Sequence, residues 1–153
     1  MDIDQQGQIV SVQICVGHRK PMTMTESVRV IAEYGIENDR HATSNGPGMG
    51  RQVLLMDVET LEVLGLAHGE TRENITTKGV NLASILEGQK LELGGEVVLR
   101  ITGPCVPCSR MDEIRPGLQE EIRERRGMLA TVERSGTIKI GDVVRVLVDG
   151  RNN

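Results

Sequence analysis

A single, mainly β domain built around a barrel is the fold this sequence predicts, and three observations predict it. Short runs of Val, Ile and Leu alternate with polar residues along most of the chain, which is the period-two pattern of half-buried strands. Glycines punctuate these runs, 18 of them in 153 residues, and mark frequent turns. Only two segments carry helical spacing. Many short strands with few helices read as a β-barrel-rich fold.

Taken in order, residues 7–16 form a first strand with Val10, Val12, Ile14 and Val16 on one face. Cys15 falls on the other face and reads as a small buried hydrophobe. Residues 17–25 are a polar connection holding His18, Arg19, Lys20 and Pro21. Residues 27–34 form a second strand through Val28, Val30 and Ile31. Residues 35–50 make a long polar loop with four glycines and Pro47, and loops of this length often carry function. Residues 52–56 are a short strand. Asp57 is placed to cap a helix over 58–67, with Leu61 and Leu64 on its buried face and Gly65 near its end.

Residues 71–79 are mostly polar and read as a connection, and 80–86 hold one helical turn. Residues 88–93 and 96–102 pair as a hairpin around Gly94-Gly95, a strong two-residue turn signal. Pro116 opens a helix running to Arg126, with Leu118 and Ile122 on one face and Gly127 at its end. Residues 128–133 and 143–148 are the last strands, joined through Gly136 and Gly141. Residues 149–153 are a polar tail. No repeat or linker divides the chain, so 1–153 is expected to be one domain.

Composition narrows the function. The chain has one Tyr and no Phe or Trp, so the core must be aliphatic and bases find no stacking platforms. Lys and Arg total 18 against 22 acidic residues, for a net charge of -4. That argues against nucleic acid and anionic membrane as partners. No apolar run approaches the roughly 20 residues of a membrane span, and the first residues lack a signal-peptide core. Three cysteines make no disulfide framework, which fits a reducing, cytoplasmic location.

Chemistry concentrates in Gly103-Pro104-Cys105-Val106-Pro107-Cys108-Ser109-Arg110-Met111. A thiolate is both a nucleophile and a soft metal ligand, and the fixed charge of Arg110 favours that form. The Cys105/Cys108 spacing leaves several readings open. Structural zinc needs two further ligands, but His18, His41 and His68 are scattered. A thioredoxin-like pair belongs at a helix start in an α/β sheet. The others are one reactive thiolate, used as metal ligand or sulfur carrier, or two inert thiols in a turn. Asn38-Asp39-Arg40-His41 joins a carboxylate, a guanidinium that can grip phosphate, and an imidazole. Arg51 adds a second cation. Asn74, Thr76, Thr77 and Lys78 bring amide, hydroxyl and ammonium donors suited to a phosphorylated ligand. Each of these also reads as an ordinary solvated turn or surface ion pair.

Four stretches in this order resemble the MOSC domain, the module named after the C-terminal part of molybdenum-cofactor sulfurases. They are Gly35-Ile36-Glu37-Asn38-Asp39-Arg40-His41-Ala42, Arg51-Gln52-Val53, Glu73-Asn74-Ile75-Thr76-Thr77-Lys78-Gly79-Val80-Asn81-Leu82, and Cys105-Val106-Pro107-Cys108-Ser109-Arg110. The likeness runs from about residue 35 to 148 and is that of a small stand-alone bacterial member. Asn38 stands where the family usually carries glycine and Thr43 near another usual glycine, and Asn is the milder change because it tolerates positive φ.

The resemblance implies a β-barrel-rich fold and one hallmark cysteine, which follows a proline and so maps onto Cys108. In cofactor-binding members that thiolate ligates molybdenum in the molybdenum cofactor (molybdopterin). Asp39, Arg40, His41, Arg51, Asn74, Thr76, Thr77, Lys78 and Arg110 are then the candidate cofactor-binding residues. The resemblance also implies reduction of N-hydroxylated compounds, with electrons from a partner protein. The alternative it implies is a sulfur carrier. Cys108 would then receive sulfur as a persulfide from a pyridoxal-phosphate-dependent cysteine desulfurase and deliver it to a metal–sulfur cofactor. No pyridoxal-phosphate lysine is identifiable in this chain itself.

Overall fold

The computed structural model describes residues 3–17, 20–42, 52–105, 110–125 and 127–148. The strands are β1 (Ile3–Ile14), β2 (Thr23–Thr25), β3 (Ser27–Ile31), β4 (Gly35–Ile36), β5 (Val53–Asp57), β6 (Ile75–Lys78), β7 (Lys90–Leu93), β8 (Val97–Pro104), β9 (Met128–Arg134), β10 (Gly136–Lys139) and β11 (Val143–Leu147). Three short helices join them: α1 (Val58–Leu64), α2 (Arg110–Ile114) and α3 (Leu118–Glu121).

Seven strands close into a barrel in the order β11-β7-β8-β9-β5-β6-β1, with β1 pairing back onto β11. Closure leaves the barrel no open edge to template pairing with another chain. Neighbours are antiparallel except β5 and β6, which run parallel because the connection between them carries α1. β2 pairs with β1 beside the barrel. β3, β4 and β10 form a second, three-stranded sheet. Its Val30, Ile36 and Ile138 pack into the same core as the barrel interior.

That interior is aliphatic, as the missing aromatics require. Ile9, Val12, Leu55, Leu99, Ile101 and Val146 are all at most 1 % exposed. Each such side chain stabilises the fold by about 1.5–3 kcal/mol. Alternation along β5 divides two cores. Leu55 points into the barrel, while Met56 points outward to meet Leu61, Leu64, Met111, Leu118 and Ile122 of the helical side.

The sequence expectations for the hairpin around Gly94-Gly95 and for the capped α1 hold. Asp57 Oδ2 accepts from Thr60 N at 3.2 Å, and Gly65 ends α1 at φ 71°. Several details differ, beginning with β2 (Thr23–Thr25), which lies in the stretch expected to be a polar connection, and β4 (Gly35–Ile36), which opens the expected long loop. β1 carries a bulge between Ile9 and Ser11, so Ile9 rather than Val10 faces the core, and Val16 is half exposed. Residues 75–78 are a barrel strand rather than a connection, since both faces of β6 are covered and its threonines lose their polar appearance. Residues 136–139 form β10 in the stretch expected only to join the last strands. The helix expected from Pro116 is brief. Gly117 at φ 86° precedes α3, which passes into a 3₁₀ turn at Ile122–Glu124. Tyr34, the lone aromatic, lies in the turn between β3 and β4, where its N–H donates to Ile31 O at 3.1 Å. No helix among the described residues is long and apolar enough to cross a membrane.

Candidate functional site

Three connections meet at one end of the barrel: residues 37–42 after β4, residues 65–74 after α1, and Cys105 after β8. Asn74 ties the first two to the barrel wall. Its Oδ1 accepts from Leu54 N at 3.0 Å, and its Nδ2 donates to Gln13 O at 3.2 Å and to Asp39 Oδ1 at 2.9 Å. Asp39 is the hub. Its Oδ1 also accepts from Cys15 N at 2.6 Å, and its Oδ2 accepts from His41 N at 2.9 Å and lies 3.3 Å from His41 Nδ1. The Asp39 side chain is fully buried. Burial pushes its carboxyl upward, but the His41 ring, the backbone N–H groups of Cys15 and His41 and the charge at His41 outweigh this and hold it below the ordinary value of 3.8.

Asn38 makes this turn possible. It sits at φ 71°, the left-handed region that asparagine enters more readily than most residues, in the position where glycine was expected from the family resemblance. Arg40 follows with its N–H on Cys15 O at 2.8 Å and its side chain exposed. The His41 side chain is 48 % exposed. A guanidinium and an imidazole are therefore presented outward by a carboxylate turned inward.

Glu73 organises the second connection. Its buried carboxylate accepts from Gly69 N at 2.9 Å, Thr71 Oγ1 at 2.7 Å and Thr76 Oγ1 at 3.0 Å. Gln13 Nε2 donates to Glu73 O at 2.9 Å and to Thr76 Oγ1 at 3.2 Å. Arg72, beside it, adopts φ 67°, which is strained for a residue with a Cβ. Its Nη1 donates to Lys20 O at 2.6 Å and its Nη2 lies 3.0 Å from the Cys15 sulfur. Cys105 donates its N–H to Gly127 O at 2.8 Å. It lines a narrow hollow of about 40 Å³ with Leu54, Thr71 and Met111.

Of the residues singled out from sequence, Asp39, Arg40, His41 and Asn74 are brought together. Thr76 is one step away, in the Glu73 network. Thr77 points into the barrel, fully buried, and its Oγ1 has no hydrogen-bond partner. Lys78 is exposed at the far end of β6 beside Gln6 and Gln8, about 13 Å along the strand from Asn74 at the usual rise per residue. Arg51, Cys108 and the side chain of Arg110 lie outside the described residues. Sequence reasoning passed over Gln13, Cys15, Arg72 and Glu73 as members of this assembly. The polar Gln13 within an apolar run was the one available signal, since a buried strand amide must find partners. Nothing in the spacing marks Cys15 or Arg72. Among the described residues no group of His, Cys, Asp and Glu is placed to hold a metal ion.

The family model described as "MOSC domain" matches residues 46–145. Among solved structures, the YuaD protein from Bacillus subtilis superposes with a TM-score of 0.74 at 18 % identity, covering 92 % of this chain and 95 % of that one. YiiM from Geobacillus stearothermophilus gives 0.71 at 20 % identity, covering 94 % and 76 %. YiiM from Escherichia coli gives 0.67 at 12 %, covering 93 % and 70 %. At these identities the likeness is one of fold. No curated protein matches the sequence. The family model spans well over half of the chain and includes Asn74 and the cysteine stretch, so this chain belongs to the MOSC domain family.

Proposed function

We propose that this chain binds a molybdenum cofactor at the Cys105 end of the barrel, with Cys108 as the thiolate ligand to molybdenum. The observation that carries the reading is the Asp39–Asn74 clamp. A buried carboxylate spends its acceptor capacity holding a loop whose outward groups are Arg40 and His41, at the same end of the barrel as Cys105. Those donors suit the phosphate of a pterin, and a soft sulfur suits molybdenum. When bound, the cofactor would supply two-electron redox chemistry of the sort that reduces N-hydroxylated compounds. Arg40 and His41 would bind its anionic end, while Asp39 and Asn74 keep that loop in place. Arg51, Thr76 and Arg110 are further candidates for binding. The reading also needs an electron-donor protein, since no flavin, nicotinamide or iron–sulfur motif is visible in the sequence.

The test is native mass spectrometry with metal analysis on protein made in a host that synthesises the cofactor, beside Cys108→Ser. Bound molybdopterin and molybdenum, both lost in the variant, are the expected result. A chain without molybdenum that instead gains about 32 Da per sulfur atom from a desulfurase and cysteine overturns it in favour of the sulfur carrier. In that case the Cys108 thiolate attacks the terminal sulfur of the donor's persulfide. The new S–S bond forms on Cys108, the old one breaks, and the donor leaves as a thiolate.

A further inference from the structure

The outer wall of the barrel carries a groove of about 410 Å³ running across β7, β8, β9 and β11. It is remote from the Cys105 end. Val98, which lines it, lies six residues and about 20 Å of extended strand from Pro104. Pairing of β7 with β8 sets Lys90 directly opposite Arg100, and like charges so placed repel. Glu133 sits between them, 3.0 Å from Lys90 Nζ and 3.5 Å from Arg100 Nε. A bulge in β9 allows this. Val98 pairs with Arg134 and Leu99 with Val132, so Glu133 has no opposite residue, and both Glu133 and Arg134 turn to solvent.

A second carboxylate is shared in the same way. Glu92 lies 3.3 Å from Arg145 Nη1 and 4.0 Å from Arg134 Nη2. Four cations therefore face two carboxylates, in a chain whose net charge is -4. Pairs this exposed gain little from one another and keep most of their charge available. Between them the groove is aliphatic, through Ile3, Val98 and Leu147.

We propose that this groove docks an extended, acidic segment of a partner protein. Carboxylates of the segment meet Lys90, Arg100, Arg134 and Arg145, and its intervening aliphatic side chains rest on Ile3, Val98 and Leu147. The charge pattern selects the occupant. On a molecule whose net charge is -4, a groove carrying four cations draws an acidic segment to this face, so the field orients the encounter. The groove offers a base no aromatic side chain to stack on, whereas its floor matches Leu or Val.

The probe is a fluorescein-labelled peptide alternating glutamate and leucine, titrated with the full chain by fluorescence anisotropy. Saturable binding at low salt, weakened about tenfold at physiological salt, is expected. Arg134→Gln combined with Arg145→Gln is expected to weaken it about tenfold or more. Lys90→Gln, at an exposed tip, gives a smaller loss and keeps the test open should the double variant fold poorly. No binding at low salt, or binding unchanged in both variants, overturns the proposal. So does equally tight binding of a single-stranded oligonucleotide or of anionic phospholipid vesicles, which would make the face a general polyanion surface.

Discussion

Asn74 and Asp39, 35 residues apart, meet through a 2.9 Å hydrogen bond from amide to carboxylate. The bond joins two of the four stretches on which the family resemblance rests. Asp39 meets Cys15 N–H, His41 N–H and the Asn74 amide at once, so removing it strands three buried or half-buried donors. Asp39→Ala is expected to destabilise the fold by about 3 kcal/mol or more, at roughly 1–3 kcal/mol for each unsatisfied group. Denaturant unfolding measures the loss, and a change below about 1 kcal/mol would refute the hub.

The same residue sets a pH dependence. Its folded carboxyl is held below the ordinary 3.8. Such a group contributes its full stability above the unfolded value and loses it as pH falls through the lowered one. The acid limb of a stability-against-pH curve should therefore fall below pH 3.8, and Asp39→Asn should flatten that part of it. Equal steepness in the two proteins would contradict the assignment.

Arg72 separates strain from contact. Its φ of 67° costs about 1 kcal/mol in any residue bearing a Cβ. Arg72→Ala loses the bond to Lys20 O and keeps the strain, whereas Arg72→Gly loses the bond and relieves it. Thermal melts should place the glycine variant above the alanine variant by about 1 kcal/mol, a few degrees in a domain of this size. The reverse order would show that the local backbone is not strained.

Gly127 has no room for a side chain. A Cβ there would run into the Leu55 carbonyl of the neighbouring strand, and Gly127 O holds Cys105 N–H at 2.8 Å. Gly127→Ala should cost about 1–3 kcal/mol by overpacking. It should also make the Cys105 amide exchange with deuterium faster, which hydrogen-exchange mass spectrometry on this segment reads directly. Unchanged exchange would uncouple the two.

Thr77 gives the sharpest check on the binding residues. Its hydroxyl is buried in the barrel without a hydrogen-bond partner, so Thr77→Val should stabilise the fold by about 1 kcal/mol and leave cofactor loading as it was. Loss of loading in that variant would restore Thr77 to the site.

The barrel was legible because period-two alternation and glycine turns are local signals, as the Gly94-Gly95 hairpin and the Asp57 cap demonstrate. β6 was not. Thr76, Thr77 and Lys78 look like a solvated run until β1 and β5 flank them, and only the three-dimensional pairing makes threonine a wall residue. The site divided along the same line. Asn38-Asp39-Arg40-His41 announces itself by composition, and Asn38 takes the left-handed turn its identity allows. Arg72 and Cys15 meet across 57 residues, a proximity that no spacing rule encodes. Thr77 and Lys78 fall away from the Asp39 cluster because neighbouring strand residues point to opposite faces and each residue advances along the wall.

Tyr34 stands in the turn that leads through β4 to Asn38 and Asp39, and the chain has no Trp or Phe. The protein is therefore almost colourless in the near ultraviolet, and what little it absorbs there comes from one side chain a few residues from the clamp. A pterin or a persulfide would be visible against this background with very little subtraction. A tyrosine fluorescence or near-ultraviolet dichroism change would report on the Asp39 turn with no other residue's signal mixed in. The aliphatic core that gave the barrel its packing thus leaves the molecule with a single built-in optical probe.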